Sequence, residues 1–113
     1  MLQEGSVTTP NGFFAGGIHC GVKRKRKDLG WILSQVPAEA AAVFTTNKFQ
    51  AAPLLVTKQS IEKNGKLQGV IVNSGKANAF TGPQGLKDAF YMREYFSKLV
   101  GIKDYHTAVV STG

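Results

Sequence analysis

Apolar positions along the chain fall into short blocks, separated by turns rich in polar residues, glycine and proline. Residues 1–12 are polar and Gly/Pro-punctuated, which predicts an irregular entry. Residues 13–22 read as a strand whose internal glycines signal a bulge or a close backbone approach. Residues 28–36 read as a second strand, ended by Pro37. The five cations between them, Lys23-Arg24-Lys25-Arg26-Lys27, suit the solvated tip of an antiparallel hairpin. Residues 41–46 read as a third short strand. Pro53 suits the first turn of a helix running through Leu54, Leu55, Val56, Ser60, Ile61 and Lys63, which Asn64-Gly65 would end. Residues 69–72 form a continuous apolar run, a buried strand by composition.

The clearest helix spans 83–100. Thr81-Gly82-Pro83-Gln84 has capping-box spacing, with Pro83 in the first turn and Gly101 just past the end. Leu86, Ala89, Met92, Phe96, Leu99 and Val100 share one face at helical spacing, with Lys87, Tyr91, Glu94 and Lys98 on the other. Residues 107–110 predict another buried strand. The order β-β-β-α-β-α-β indicates a mixed α/β (α+β) chain with helices packed on a sheet. No internal repeat or low-complexity linker interrupts it.

A chain of 113 residues makes about one small domain, with a thin stability margin. Its 42% hydrophobic and 19% charged residues are ordinary for a globular protein. Ser111-Thr112-Gly113 follows the last apolar run directly, so the chain is expected to be a fragment or one piece of a larger assembly. The single cysteine, Cys20, rules out an internal disulfide and leaves no argument for secretion. There is no apolar run of membrane-spanning length, and Met1 to Ser6 lack the charge and apolar stretch of a signal peptide. A soluble cytoplasmic protein is expected. The formal charge of +7 is local: five of fourteen basic residues sit in the 23–27 run, and the rest of the chain carries +2.

Few residues carry chemistry on their own account. Asn73-Ser74-Gly75-Lys76-Ala77-Asn78 lies between a buried strand and a helix, where phosphate loops occur. It fails the G-x-x-x-x-G-K-[ST] pattern at Val70 and at Ala77. A tight turn held by Asn and Ser side chains fits it better. His19 and Cys20 are strand neighbours that point to opposite faces, so they form no dyad, although His106 could approach either in the fold. A lone cysteine among glycines reads as a small packed residue. No His, Cys, Asp or Glu spacing suits a metal, and no cofactor-binding residue is evident. The 23–27 run could neutralise nucleic-acid phosphates. It lacks interleaved aromatics and a surrounding DNA-binding motif, which favours a solvated tip. Ser111-Thr112-Gly113 places a hydroxyl beside a backbone N–H at a strand end, a pair able to donate to a developing oxyanion. Alone, this tripeptide has almost no specificity.

Several segments together are more telling. Gly12-Phe13-Phe14-Ala15-Gly16-Gly17-Ile18-His19-Cys20-Gly21, then Lys27-Asp28-Leu29, resembles the opening strands of the ornithine acetyltransferase (glutamate N-acetyltransferase) family. Ala41-Ala42-Val43-Phe44-Thr45-Thr46-Asn47 with Ala51-Ala52-Pro53 resembles the family's next block. Val72-Asn73-Ser74-Gly75-Lys76-Ala77-Asn78-Ala79, with Thr81-Gly82 and Gln84-Gly85, resembles its most recognisable N-terminal signature. Val110-Ser111-Thr112-Gly113 matches the block after that. The resemblance covers essentially the whole chain, in order. Two positions depart from it: Lys76, where the family usually has Asn, and Phe80, where it has a smaller residue, often Cys.

The resemblance implies a four-layer α/β/β/α sandwich with mixed sheets. Residues 1–113 would be the N-terminal segment of a single larger acetyltransferase domain, from the alpha chain of an arginine-biosynthesis enzyme. It further implies a precursor that cuts itself before a threonine, giving alpha and beta chains that stay together. That threonine receives acetyl from N-acetylornithine and passes it to glutamate; some members also accept acetyl-CoA. Thr112 and Gly113 would form the oxyanion hole. This chain holds no counterpart of the nucleophile, and Thr45, Thr46 and Thr57 fall in the wrong blocks, so these residues alone are expected to be inactive. Two alternatives stay open on the residues: a small basic nucleic-acid-binding module using 23–27, and a non-catalytic interaction fragment with the family fold.

Overall fold

The computed structural model describes residues 4–113; the first three residues of the expected irregular entry lie outside that range. Four strands and two long helices follow one another: β1 (Phe13–Ile18), β2 (Leu29–Glu39), α1 (Ala52–Asn64), β3 (Lys66–Asn73), α2 (Gly82–Val100) and β4 (Thr107–Ser111). A short 3-10 turn, Asp104–His106, leads into β4. The strands form one sheet in the order β1-β2-β3-β4, antiparallel except for the parallel β3–β4 pair. The result is a mixed α+β chain that supplies one sheet layer and one helical layer.

The registers explain which side chains meet. Trp31, Ile71 and Val109 lie side by side across β2, β3 and β4, and alternation sends them to the face under the helices. Val56 of α1 and Ala89 and Phe96 of α2 close over Ile71 and Val109 to form the core, with Leu29, Trp31, Leu86 and Phe90 packed at its margin. Burying each large apolar side chain there contributes about 1.5–3 kcal/mol. On β1 the partner of Trp31 is Gly16, where a β-carbon would collide with the indole ring. The glycines of this strand therefore mark a close approach, as their pattern predicts.

The edge of β4 is closed from α1. In the parallel ladder Val109 has its N–H and C=O turned away from β3. Thr57 answers both: its hydroxyl donates to the Val109 carbonyl at 3.1 Å and accepts from the Val109 N–H at 2.9 Å. Deeper polar links join the helices. Arg93, buried in α2, donates from Nη1 to Gln59 Oε1 (2.8 Å) and Ser60 Oγ (3.1 Å), and its Nη2 lies 3.6 Å from Asp104 Oδ2.

Five expectations need correction. Residues 41–46 form no strand, for no strand pairs with them among the described residues, and Val43 is 99% exposed. The first strand stops at Ile18 instead of Val22, because residues 20–23 turn inward around Asp28. The second continues through Pro37 to Glu39; a register irregularity between Leu33 and Ala38 tolerates the missing N–H. Thr81 makes no side-chain cap on α2. Its hydroxyl bonds the Asn78 side chain instead. The buried face of α2 also turns from the expected one: Arg93 and Ser97 are buried, whereas Leu99 is 69% exposed.

Candidate active site

Thr112 and Gly113 are exposed and emerge from the carboxyl end of β4. The ladder continues one step beyond the strand, since the Thr112 N–H donates to the Asn73 carbonyl at 3.0 Å. Asn73 ends β3 and is the register partner of Ser111. Its Oδ1 accepts from the Ser111 hydroxyl, and its Nδ2 donates to the Lys76 carbonyl at 2.9 Å. The segment 73–78 is thus a turn braced by the Asn73 side chain, as expected, whereas Ser74 takes part through its backbone N–H and not through its hydroxyl.

That turn lines an open cavity of about 370 Å³ together with the first turns of α2; Asn73, Lys76, Asn78, Thr81, Gln84 and Asp88 supply its polar side chains. Its shape depends on Gly85. A β-carbon there would overlap Thr81 and Asn78, whose side chains sit against it, and Asn78 Nδ2 donates to the Gly85 carbonyl at 2.8 Å. Phe80 leads into this helix at φ 54, in the left-handed region that bulky residues avoid. The departure from the family pattern at Phe80 therefore falls on a strained backbone position.

The hairpin loop packs beside the same turn through Asp28, a residue that sequence reasoning missed. Asp28 is 2% exposed and accepts from the N–H groups of Cys20 (2.6 Å), Gly21 (3.2 Å) and Lys23 (2.8 Å). The Cys20 N–H bond above all, with help from those of the neighbouring loop amides, holds the Asp28 carboxyl far below the usual carboxylate range against the opposing effect of burial. The main-chain carbonyl of Asp28 accepts from the Ser74 N–H at 2.9 Å. Its only sequence signal is a lone acid between five cations and an apolar strand. The cations themselves stay on the loop between β1 and β2, where a hairpin tip was expected.

The other candidates do not converge. His19 Nε2 bonds the Lys23 carbonyl at 2.5 Å and stands 3.9 Å from Asp28 Oδ2. The Cys20 thiol is pushed up, chiefly by its hydrogen bond to the Asp28 carboxylate, which disfavours the thiolate a nucleophile needs. His106 is engaged elsewhere, with Asn64 Nδ2 3.1 Å from its Nε2. Burial, then the charges of Lys103 and Lys66, lower its pKa, so a neutral ring accepts that bond. Among the described residues no three His, Cys, Asp or Glu side chains gather as metal ligands, and no helix is long and apolar enough to cross a membrane.

Comparison with known proteins identifies the fold and the family. Residues 14–113 match the model of the ArgJ family. The arginine biosynthesis bifunctional protein ArgJ of Oceanobacillus iheyensis is 54% identical over 113 residues, all of this chain and 28% of that protein. The ArgJ of Halalkalibacterium halodurans is 59% identical over 112 residues, 99% of this chain and 27% of that protein. Among solved structures, the ArgJ of Bacillus halodurans superposes with a TM-score of 0.93 at 60% identity, covering 96% of this chain and 57% of that one. The ornithine acetyltransferase of Mycobacterium tuberculosis, complexed with ornithine, superposes with a TM-score of 0.86 at 39% identity, covering 95% and 58%. The chain thus spans 28% of the length of a curated relative that it matches throughout. Nothing beyond its charge connects the 23–27 run with nucleic acid. On sequence and on fold alike, this chain belongs to the ArgJ family, as its N-terminal part.

Proposed function

We propose that this chain is the N-terminal segment of a glutamate N-acetyltransferase and supplies the oxyanion hole for acetyl transfer from N-acetylornithine to glutamate. The observation that carries this reading is the exposed Thr112-Gly113 pair at the end of β4, held by the ladder bond to Asn73 within a fold shared with an ornithine acetyltransferase. The nucleophile is a threonine at the start of a companion C-terminal chain, produced by self-cleavage of one precursor. The two chains remain together as a hetero-oligomer in the cytoplasm.

The chemistry runs in two acyl transfers. The threonine hydroxyl attacks the acetyl carbonyl of N-acetylornithine while the adjacent free amine takes its proton. The carbonyl oxygen becomes an oxyanion, which receives hydrogen bonds from the Thr112 hydroxyl and the Gly113 N–H. Collapse breaks the C–N bond; the departing ornithine amine takes up the proton, and an acetyl-threonine ester remains. The amino group of glutamate attacks that ester through a second oxyanion at the same two donors. N-acetylglutamate leaves and the threonine hydroxyl is restored. Acetyl-CoA serves as an alternative donor by the same first step, with its thiolate as leaving group. Each donor acts only once charge develops on the carbonyl, and losing one typically costs ~10²–10³ in rate.

The test is mass spectrometry of the complete, self-cleaved protein incubated with N-acetylornithine. The C-terminal chain should gain the mass of one acetyl group and lose it, as N-acetylglutamate, when glutamate is added. An unmodified C-terminal chain and no N-acetylglutamate would refute the reading.

A further inference from the structure

Thr112 stands at the end of β4, which among the described residues pairs with β3 alone. A donor pair placed there is useful only if its direction is fixed before the oxyanion forms, since preorganisation is the source of its advantage. Asn73 is the residue that meets this need from three sides. Its carbonyl takes the Thr112 N–H, its Oδ1 takes the Ser111 hydroxyl, and its Nδ2 ties the whole to the Lys76 carbonyl. Asn fits here because one amide both accepts and donates. An Asp would lose the donor and set a negative charge near the oxyanion.

The turn that Asn73 braces is itself anchored. Ser74 is held by the Asp28 carbonyl, and the side chains of Val22 and Lys23 fill the space over Gly75. Two hydrogen bonds, joined by the peptide link between Asn73 and Ser74, therefore connect the buried Asp28 to Thr112. From this geometry we infer that Asn73 is a positioning residue for the reaction: its side chain, through the Ser111 hydroxyl, fixes the end of β4 so that Thr112 and Gly113 present their donors in one direction. The inference rests on the oxyanion-hole reading of Thr112.

Steady-state kinetics of the complete, cleaved enzyme with N-acetylornithine and glutamate tests it. Asn73→Ala should lower kcat by about five- to tenfold, the worth of one neutral hydrogen bond, and leave KM nearly unchanged. Ser111→Ala should do the same, and Ser111→Thr, which restores the hydroxyl, should recover most of the loss. In a Thr112→Val background Asn73→Ala should cost less than it does alone, because the donor it directs is gone. If Thr112→Val is slow but Asn73→Ala turns over at the wild-type rate, or multiplies in full with Thr112→Val, the positioning role is overturned and the oxyanion reading survives. If Thr112→Val is itself unaffected, both fall. Should Asn73→Ala fail to fold, the Ser111→Ala and Ser111→Thr pair decides: equal rates in the two overturn the inference.

Discussion

Replacing Thr57 by Val should uncouple α1 from the strand that carries Thr112. The substitution keeps the β-branched shape and removes only the hydroxyl that serves both polar groups of Val109. Val109 is 2% exposed, so water cannot take over its N–H and C=O. Leaving a buried backbone group unsatisfied costs about 1–3 kcal/mol. Two such groups would reach about twice that, but slight movement of α1 relieves part of the penalty, so we expect a net loss of about 2–4 kcal/mol. Thr57→Ser, which keeps the hydroxyl and loses a methyl group, should cost about 1 kcal/mol. Denaturant unfolding gives the free energies, and hydrogen exchange at the Val109 amide gives the mechanism: rapid exchange in Thr57→Val, slow in Thr57→Ser. Thr57→Val with wild-type stability and a protected Val109 amide would refute the reasoning.

Three further perturbations probe the surroundings of the site. Gly85→Ala drives a methyl into Thr81 and Asn78; the overlap, less the better helix propensity of Ala, should destabilise by about 1–3 kcal/mol in denaturant unfolding, with equal stability contradicting the packing. Asp28 titrates in the folded chain below its unfolded value, so its stabilisation is complete above the ordinary aspartate range, about pH 4, and is lost as pH falls below that range. Asp28→Asn should accordingly lower Tm at neutral pH and flatten the acid limb of the stability profile, whereas a parallel acid limb in both proteins would disprove the role given to the loop amides. Phe80→Asn should raise stability by about 0.5–1 kcal/mol, because Asn tolerates the left-handed backbone at φ 54 and Phe does not; a lower midpoint would show that the ring's contact with Phe49 outweighs the strain.

Local signals in the sequence suffice where one element decides its own fate. Pro53 and Gly65 bound α1, and Gly101 closes α2 in the left-handed conformation. The apolar runs at β3 and β4 need only burial to become strands. Residues 41–46 have equally good strand chemistry but find no partner strand, and pairing is a tertiary fact. The polar groups that shape the site are hidden for the same reason. Thr57 meets Val109 across 52 positions and Asn73 meets Ser111 across 38, distances over which no periodicity speaks. Arg93 at the buried face of α2 looks like a surface residue until Gln59, Ser60 and Asp104 are seen around it. Thr112 and Gly113 stand out in the sequence only through the family resemblance, and the fold adds to it their exposure at a braced strand end.

The measurement that bears most directly on the account is the turnover of a cleaved Thr112→Val enzyme. Val matches Thr in shape and lacks the donor, so any loss reports on the hydroxyl. Because the proposed self-cleavage would pass through a similar tetrahedral intermediate, the variant must first be confirmed as cleaved by mass. With N-acetylornithine and glutamate, the account predicts a fall in kcat of ~10²–10³ with KM barely changed, the signature of an interaction made only in the transition state. A cleaved Thr112→Val enzyme with wild-type kcat would contradict it.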